Sequence, residues 1–139
     1  MDKTDLLARC QELIDYRFHD ESLLQLALTH ASVAATRIQS NERLEFLGDA
    51  VLGLVVCEAL YHHPDEMMEG DMTKIKSAVV SRQTCAEMTE QIGLEELMLL
   101  GKGIGHNGSL PQSVLGAAFE SLVGAMYIDG GLEPARELI

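Results

Sequence analysis

An all-α fold is what the chain predicts, and three observations carry that prediction. Apolar residues recur three and four positions apart through successive stretches, the spacing of helices that bury one face. Residues suited to start or stop a helix, Asp20, Asn41, Ser81 and Gly93, fall between those stretches. Of the 139 residues, 47% are hydrophobic and only three are proline, which suits one folded domain over residues 1–139 with a single sizeable core.

Taken in order, Leu6, Leu7, Cys10, Leu13 and Ile14 follow helical spacing, with Thr4 or Asp5 placed to cap the first turn. Asp20 caps a second helix through Leu23, Leu24, Leu26 and Ala27 towards His30, and residues 31–40 break the pattern. Asn41 then opens a long helix that reaches Tyr61. The following HHPDEMMEGD, residues 62–71, reads as a loop, with Asp71 as cap for a helix bearing Met72, Ile75, Val79 and Val80. Ser81 caps another over residues 82–92, ended by Gly93. Residues 101–111, GKGIGHNGSLP, form an irregular loop without the GxxxxGK[ST] spacing of a P-loop, leaving Lys102 and backbone amides available to a polyanion. Residues 112–127 form the last complete helix, and residues 132–139 begin another, with Pro134 in its first turn.

The chemistry concentrates on the helix of residues 41–61. With about 100° per residue and Glu42 at zero, Glu45 and Asp49 fall near 300° and 340°, so three acids share one arc. Leu44, Leu47, Val51, Leu54 and Val55 lie opposite, between about 120° and 220°. Like charges at this spacing weaken a helix by about 0.2–0.5 kcal/mol per pair. The arc is therefore either a solvated face or the seat of a bound cation. Phe46, at about 40°, stands beside the acids, where packing within the chain is the ordinary explanation. Glu58, near 160°, falls on the apolar side; a partner across a dimer or fraying of the helix end would each accommodate it.

On the helix of residues 112–127, Ser113, Gly116, Ala117, Gly124 and Tyr127 lie within about 60° of Glu120. Apart from the tyrosine these neighbours are small, so another helix can come close. If that helix is the acidic one, Glu120 adds a fourth carboxylate; tight packing alone explains the small residues equally well.

The net charge of −12 stands at odds with a nucleic-acid partner, although basic residues from Arg37 to Lys102 are placed to form a rim around an acidic centre. Cys10, Cys57 and Cys85 are widely spaced among apolar residues, as expected of reduced, buried thiols. His62 and His63 suit the end of a helix better than a metal site. The N-terminal stretch lacks the pattern of a signal peptide and no apolar run approaches the roughly 20 residues of a membrane span, so a cytoplasmic protein is expected.

The run NERLEFLGDAVL, residues 41–52, resembles the signature of the ribonuclease III endonuclease domain. LALTHAS at 26–32, EGDMTKIKSAVVS at 69–81 and SVLGAAFESLVGAMYIDGG at 113–131 agree in order, so the resemblance covers nearly the whole chain. It implies the helical homodimer of that family and metal-dependent hydrolysis of double-stranded RNA to 5′-phosphate and 3′-hydroxyl ends. Position by position, Glu45, Asp49 and Glu120 match residues that hold Mg²⁺ (Mn²⁺ can substitute), with Asp49 and Glu120 most tied to catalysis. Glu42 and Glu69 match further acids of the same cleft, and Phe46 matches an aromatic that plugs a socket on the partner subunit.

Two departures qualify that expectation. Three residues before Glu120, where the family most often places an aspartate, stands Ala117. Either a water fills the vacated ligand position and binding is weaker, or the centre is inactive and the domain serves as a structured-RNA-binding or assembly module. A double-stranded-RNA-binding domain, common after the nuclease domain in this family, is also absent from the chain. Weak, steeply salt-dependent RNA affinity follows.

Overall fold

The computed structural model describes residues 2–101 and 110–139. Among the described residues seven α-helices run in order: α1 Lys3–Ile14, α2 Glu21–Ala27, α3 Glu42–Tyr61, α4 Glu69–Val79, α5 Arg82–Ile92, α6 Gln112–Gly130 and α7 Leu132–Leu138. Short 3-10 turns occupy Arg37–Gln39 and Leu94–Leu97. Among the described residues no strand forms beyond an isolated parallel bridge between Thr29 and Leu99. No described helix is long and apolar enough to cross a membrane. The loop expected over residues 101–111 falls mostly on residues 102–109, outside the described residues.

The hub of the fold is α6. Every residue from Val114 to Met126 is buried, the behaviour of a helix that is apolar all round and surrounded by others. Helices α2, α3, α5 and α7 pack around it. Glu120 is the single charged side chain in that buried stretch. Polar ties fix the neighbours at defined heights. Thr89 of α5 donates its hydroxyl to Leu115 O at 2.6 Å. Asn41 Nδ2 donates to Ala27 O at 3.2 Å and stands 3.5 Å from Ser121 Oγ, which itself lies 2.9 Å from Ala27 O. These buried partners join α2, α3 and α6, and each lost bond costs more than it gains when present, because its mate stays dehydrated.

Several boundaries differ from expectation. Asp2, not Thr4 or Asp5, caps α1, its carboxylate accepting the Asp5 N–H at 2.9 Å. Asn41 precedes α3 as expected, but its side chain serves the buried tie, and Ser40 Oγ receives the Glu42 N–H at 3.3 Å instead. Helix α4 begins at Glu69, so Asp71 lies in its first turn rather than capping it. Acids there are favourable beside the helix N-terminus, whose dipole they complement. Ser81 and Gly93 bound α5 as expected, Gly93 with φ of 90°.

The wheel of α3 is also corrected. Leu44, Val51, Leu52, Val55 and Val56 are buried, whereas Leu54 is 53% exposed. Glu58 is reached by Arg136 of α7 through an ion pair within the chain, which neither a partner subunit nor fraying is needed to supply. Cys10 and Cys85 are buried, and burial pushes both thiols up to about 12; Cys57, expected inside, is exposed.

One tie was invisible in the pattern. Asp129, near the end of α6, receives Tyr16 OH at 2.6 Å, the His19 N–H at 2.9 Å and the Asp20 N–H at 2.9 Å. Despite the cost of burying it, these donors hold its carboxyl down at about 2. The same carboxylate thus anchors the segment that leads from α1 into α2.

Candidate active site

Two glycines bring α3 against α6. A Cβ on Gly48 would overlap the carbonyl oxygen of Glu120, and one on Gly124 would overlap that of Leu44. Only the bare backbone permits this approach. Gly116, on the same small-residue face of α6, instead receives Arg82, whose Cγ would lie 3.0 Å from an added Cβ. Close packing thus explains the face, and at the same time it sets Glu120 opposite the acids of α3.

The result is a cleft of about 740 Å³ lined by Glu42, Glu45, Asp49 and Glu120 together with His30, Arg37, Phe46, Arg82 and Ala117. Glu120 is only 6% exposed. Its carboxyl is pushed up to about 8, first by burial, then by the hydrogen bond and charge of Asp49 and the charge of Glu45, against an opposing pull from Arg82. Glu45 is also raised, chiefly by burial, with Arg82 opposing and Glu42 and Asp49 reinforcing. Glu120 and Glu45 are therefore both held back from ionising, and added positive charge would favour their charged forms.

The remaining acids are placed differently. Glu42 lines the cleft but is paired with Arg37, whose Nη2 lies 3.0 Å from its Oε1. Glu69, at the exposed start of α4, is not among the cleft-lining residues. Ala117 presents a methyl group to the cleft beside Glu120, with no acid in its place. Among the described residues no three His, Cys, Asp or Glu side chains are already gathered as a coordination set.

Phe46 does not pack within the chain. It is 84% exposed and stands between the acid cleft and a second hollow of about 660 Å³ lined by Leu23, Leu26, Leu44, Leu47 and Ile128. Of the basic rim expected from sequence, Arg37 and Arg82 line the cleft, and His30, given no role from sequence, joins them. Arg82 donates from Nη1 to Ser113 O at 3.1 Å, and its charge acts on both Glu45 and Glu120. His30 lies within LALTHAS, but helical spacing says nothing about a residue placed just beyond a helix. For Arg82, its position immediately after the Ser81 cap offered a signal: it begins a helix that packs on α6.

Comparison with known proteins adds an independent line. The Ribonuclease-III-like family model matches residues 20–139. Ribonuclease 3 of Rhodopirellula baltica is 52% identical over 131 residues, covering 94% of this chain and 49% of the relative. Ribonuclease 3 of Symbiobacterium thermophilum is 46% identical, covering 95% of this chain and 57% of the relative. This chain thus spans about half the length of these relatives. The nuclease domain of ribonuclease III from Campylobacter jejuni, described with structural flexibility in a region involved in dimer formation, superposes with a TM-score of 0.87 at 37% identity. That match covers 94% of this chain and 90% of the other.

Proposed function

Because the chain belongs to the ribonuclease-III-like family, we propose that it is the nuclease portion of a cytoplasmic endoribonuclease that cuts double-stranded RNA during RNA processing. The observation that carries this reading is the buried Glu120 carboxyl in a cleft that it shares with Asp49 and Glu45. Hard carboxylate oxygens of this kind suit Mg²⁺, or Mn²⁺ in its place, with waters completing the coordination. Asp49, Glu120 and Glu45 would hold the cation. When bound, it supplies Lewis acidity and a water of lowered pKa, so that hydrolysis needs no covalent enzyme intermediate.

The chain's own groups have separable tasks. Burial and the neighbouring acids make Glu120 hold its proton, and releasing that proton readies it for ligation. Arg37 and Arg82 offer positive charge at the cleft to a phosphodiester. Water attacks phosphorus, the bond from phosphorus to the 3′ oxygen breaks, and that oxygen leaves with a proton. The products are a 5′ phosphate and a 3′ hydroxyl.

A homodimer belongs to the same proposal. Paired about a two-fold axis, each exposed Phe46 would enter the other subunit's hollow at Leu23, Leu26, Leu47 and Ile128. Burying that ring contributes about 1.5–3 kcal/mol per site. Two clefts would then face one duplex, selected by its A-form shape and 2′-hydroxyls. Sedimentation should show Phe46→Ala as a monomer, and an unchanged dimer removes Phe46 from the interface.

Ala117 favours a second reading, a catalytically impaired domain that binds structured RNA or helps assemble a ribonucleoprotein. Incubation of a long RNA duplex with Mg²⁺ or Mn²⁺ separates the two. Cleavage by the parent, abolished in Glu120→Gln, supports the enzyme. No parental cleavage at high protein concentration, with strong cleavage by Ala117→Asp, supports the impaired domain. Cleavage that survives Glu120→Gln refutes the site assignment.

A further inference from the structure

His30 lines the cleft beside the acids, and both its backbone and its ring are held. Its backbone N–H donates to Leu99 O at 3.0 Å. Its Nδ1 accepts the Ser32 backbone N–H at 3.1 Å and stands 2.8 Å from Ser32 Oγ. That hydroxyl accepts the Gly101 N–H at 2.8 Å. The seat is tight: a Cβ on Gly101 would come within 2.8 Å of Ser32 O and 3.0 Å of Ser32 Oγ.

Only a lone pair can receive a backbone N–H, so with Nδ1 accepting from Ser32 the ring hydrogen lies on Nε2. Among the described residues, Nε2 has no hydrogen-bond partner. A cationic donor here would be drawn to the carboxylates and compete with a metal for them. An Nε2–H oriented by the contacts on Nδ1 avoids that competition and still recognises an oxygen acceptor.

We propose that His30 is a substrate-contacting residue whose Nε2–H donates to a backbone oxygen of the RNA strand in the cleft, with Ser32 and Gly101 as the residues that position it. This rests on the ribonuclease reading above. The oxygen belongs to a phosphate or to a 2′-hydroxyl, both acceptors for the same donor.

Two readouts on the full chain test it. Long-range ¹H–¹⁵N spectra should show His30 protonated on Nε2 alone, and Ser32→Ala or Gly101→Ala should mix the tautomers. Duplex binding at low salt, with Ca²⁺ present to avoid cleavage, should weaken about tenfold in His30→Ala and His30→Asn. His30→Gln, whose Nε2 reaches towards the imidazole Nε2 position, should recover part of the loss. A penalty retained on 2′-deoxy-substituted strands identifies a phosphate oxygen, and one that vanishes identifies the 2′-hydroxyl. Equal binding by parent and His30→Ala, or a proton on Nδ1, overturns the proposal. Failure of the parent to bind any duplex instead overturns the ribonuclease reading, and this contact with it.

Discussion

Replacing Glu120 with glutamine should make the metal-free protein more stable, not less. The folded state holds the Glu120 proton up to about pH 8, whereas an unburied glutamate releases it near 4.5. Between those values the unfolded chain has released a proton that the folded chain keeps, so stability falls as pH rises through the window. At pH 7 the cost is about 3 kcal/mol, and near pH 5 it is under about 1 kcal/mol. A glutamine at this position does not ionise and carries no such cost. Urea unfolding in chelator, at one protomer concentration, should therefore place Glu120→Gln above the parent by about 2–3 kcal/mol at pH 7–8 and level with it near pH 5. Saturating Mg²⁺ should reverse the order, because the cation stabilises only a chain able to ligate it. A difference that does not change from pH 5 to 8, or a variant less stable than the parent at pH 8 without metal, refutes the reasoning.

Asp129 carries the opposite sign: its carboxyl is held down at about 2, so the stability it contributes is present above pH 3.8 and disappears as pH falls towards 2. Asp129→Asn should cost about 2 kcal/mol at pH 6, with the gap to the parent roughly halved at pH 3, as read from denaturant midpoints. Gly124→Ala forces a methyl group into Leu44 O; separation of α3 from α6 should lower stability by about 3 kcal/mol and abolish metal-dependent stabilisation together with any cleavage. Asn41→Ala leaves the buried tie among α2, α3 and α6 incomplete and should lower stability by about 2 kcal/mol, measured the same way.

Local chemistry was legible where one residue decides the outcome. Asp20, Ser81 and Gly93 bound their helices because caps act within a few residues. The shared arc of Glu42, Glu45 and Asp49, and the small face around Glu120, followed from helical period alone, and α3 does meet α6 there. The family motif supplied the roles that spacing left open. What periodicity could not show was which helix is surrounded. A wheel assigns each helix one buried side, so it missed α6 as a hub and placed Leu54 inside. Contacts between distant residues were equally hidden: Tyr16 with Asp129, Glu58 with Arg136, and Asn41 with Ser121 join residues that no local pattern connects. The acids at the start of α4 were misread because loops and first helical turns both favour them.

The contact of Gly48 with Gly124 also places the carboxylates at a pivot. If α3 rocks on α6 by about 10°, Tyr61, 13 residues away at about 1.5 Å each, sweeps roughly 3 Å, whereas the Cα of Glu45 moves less than about 1 Å. The chemistry occupies the short arm of a lever and the far end of α3 the long one. A rotation of that kind would displace the far end of α3 and change the spacing of Asp49 from Glu120 little.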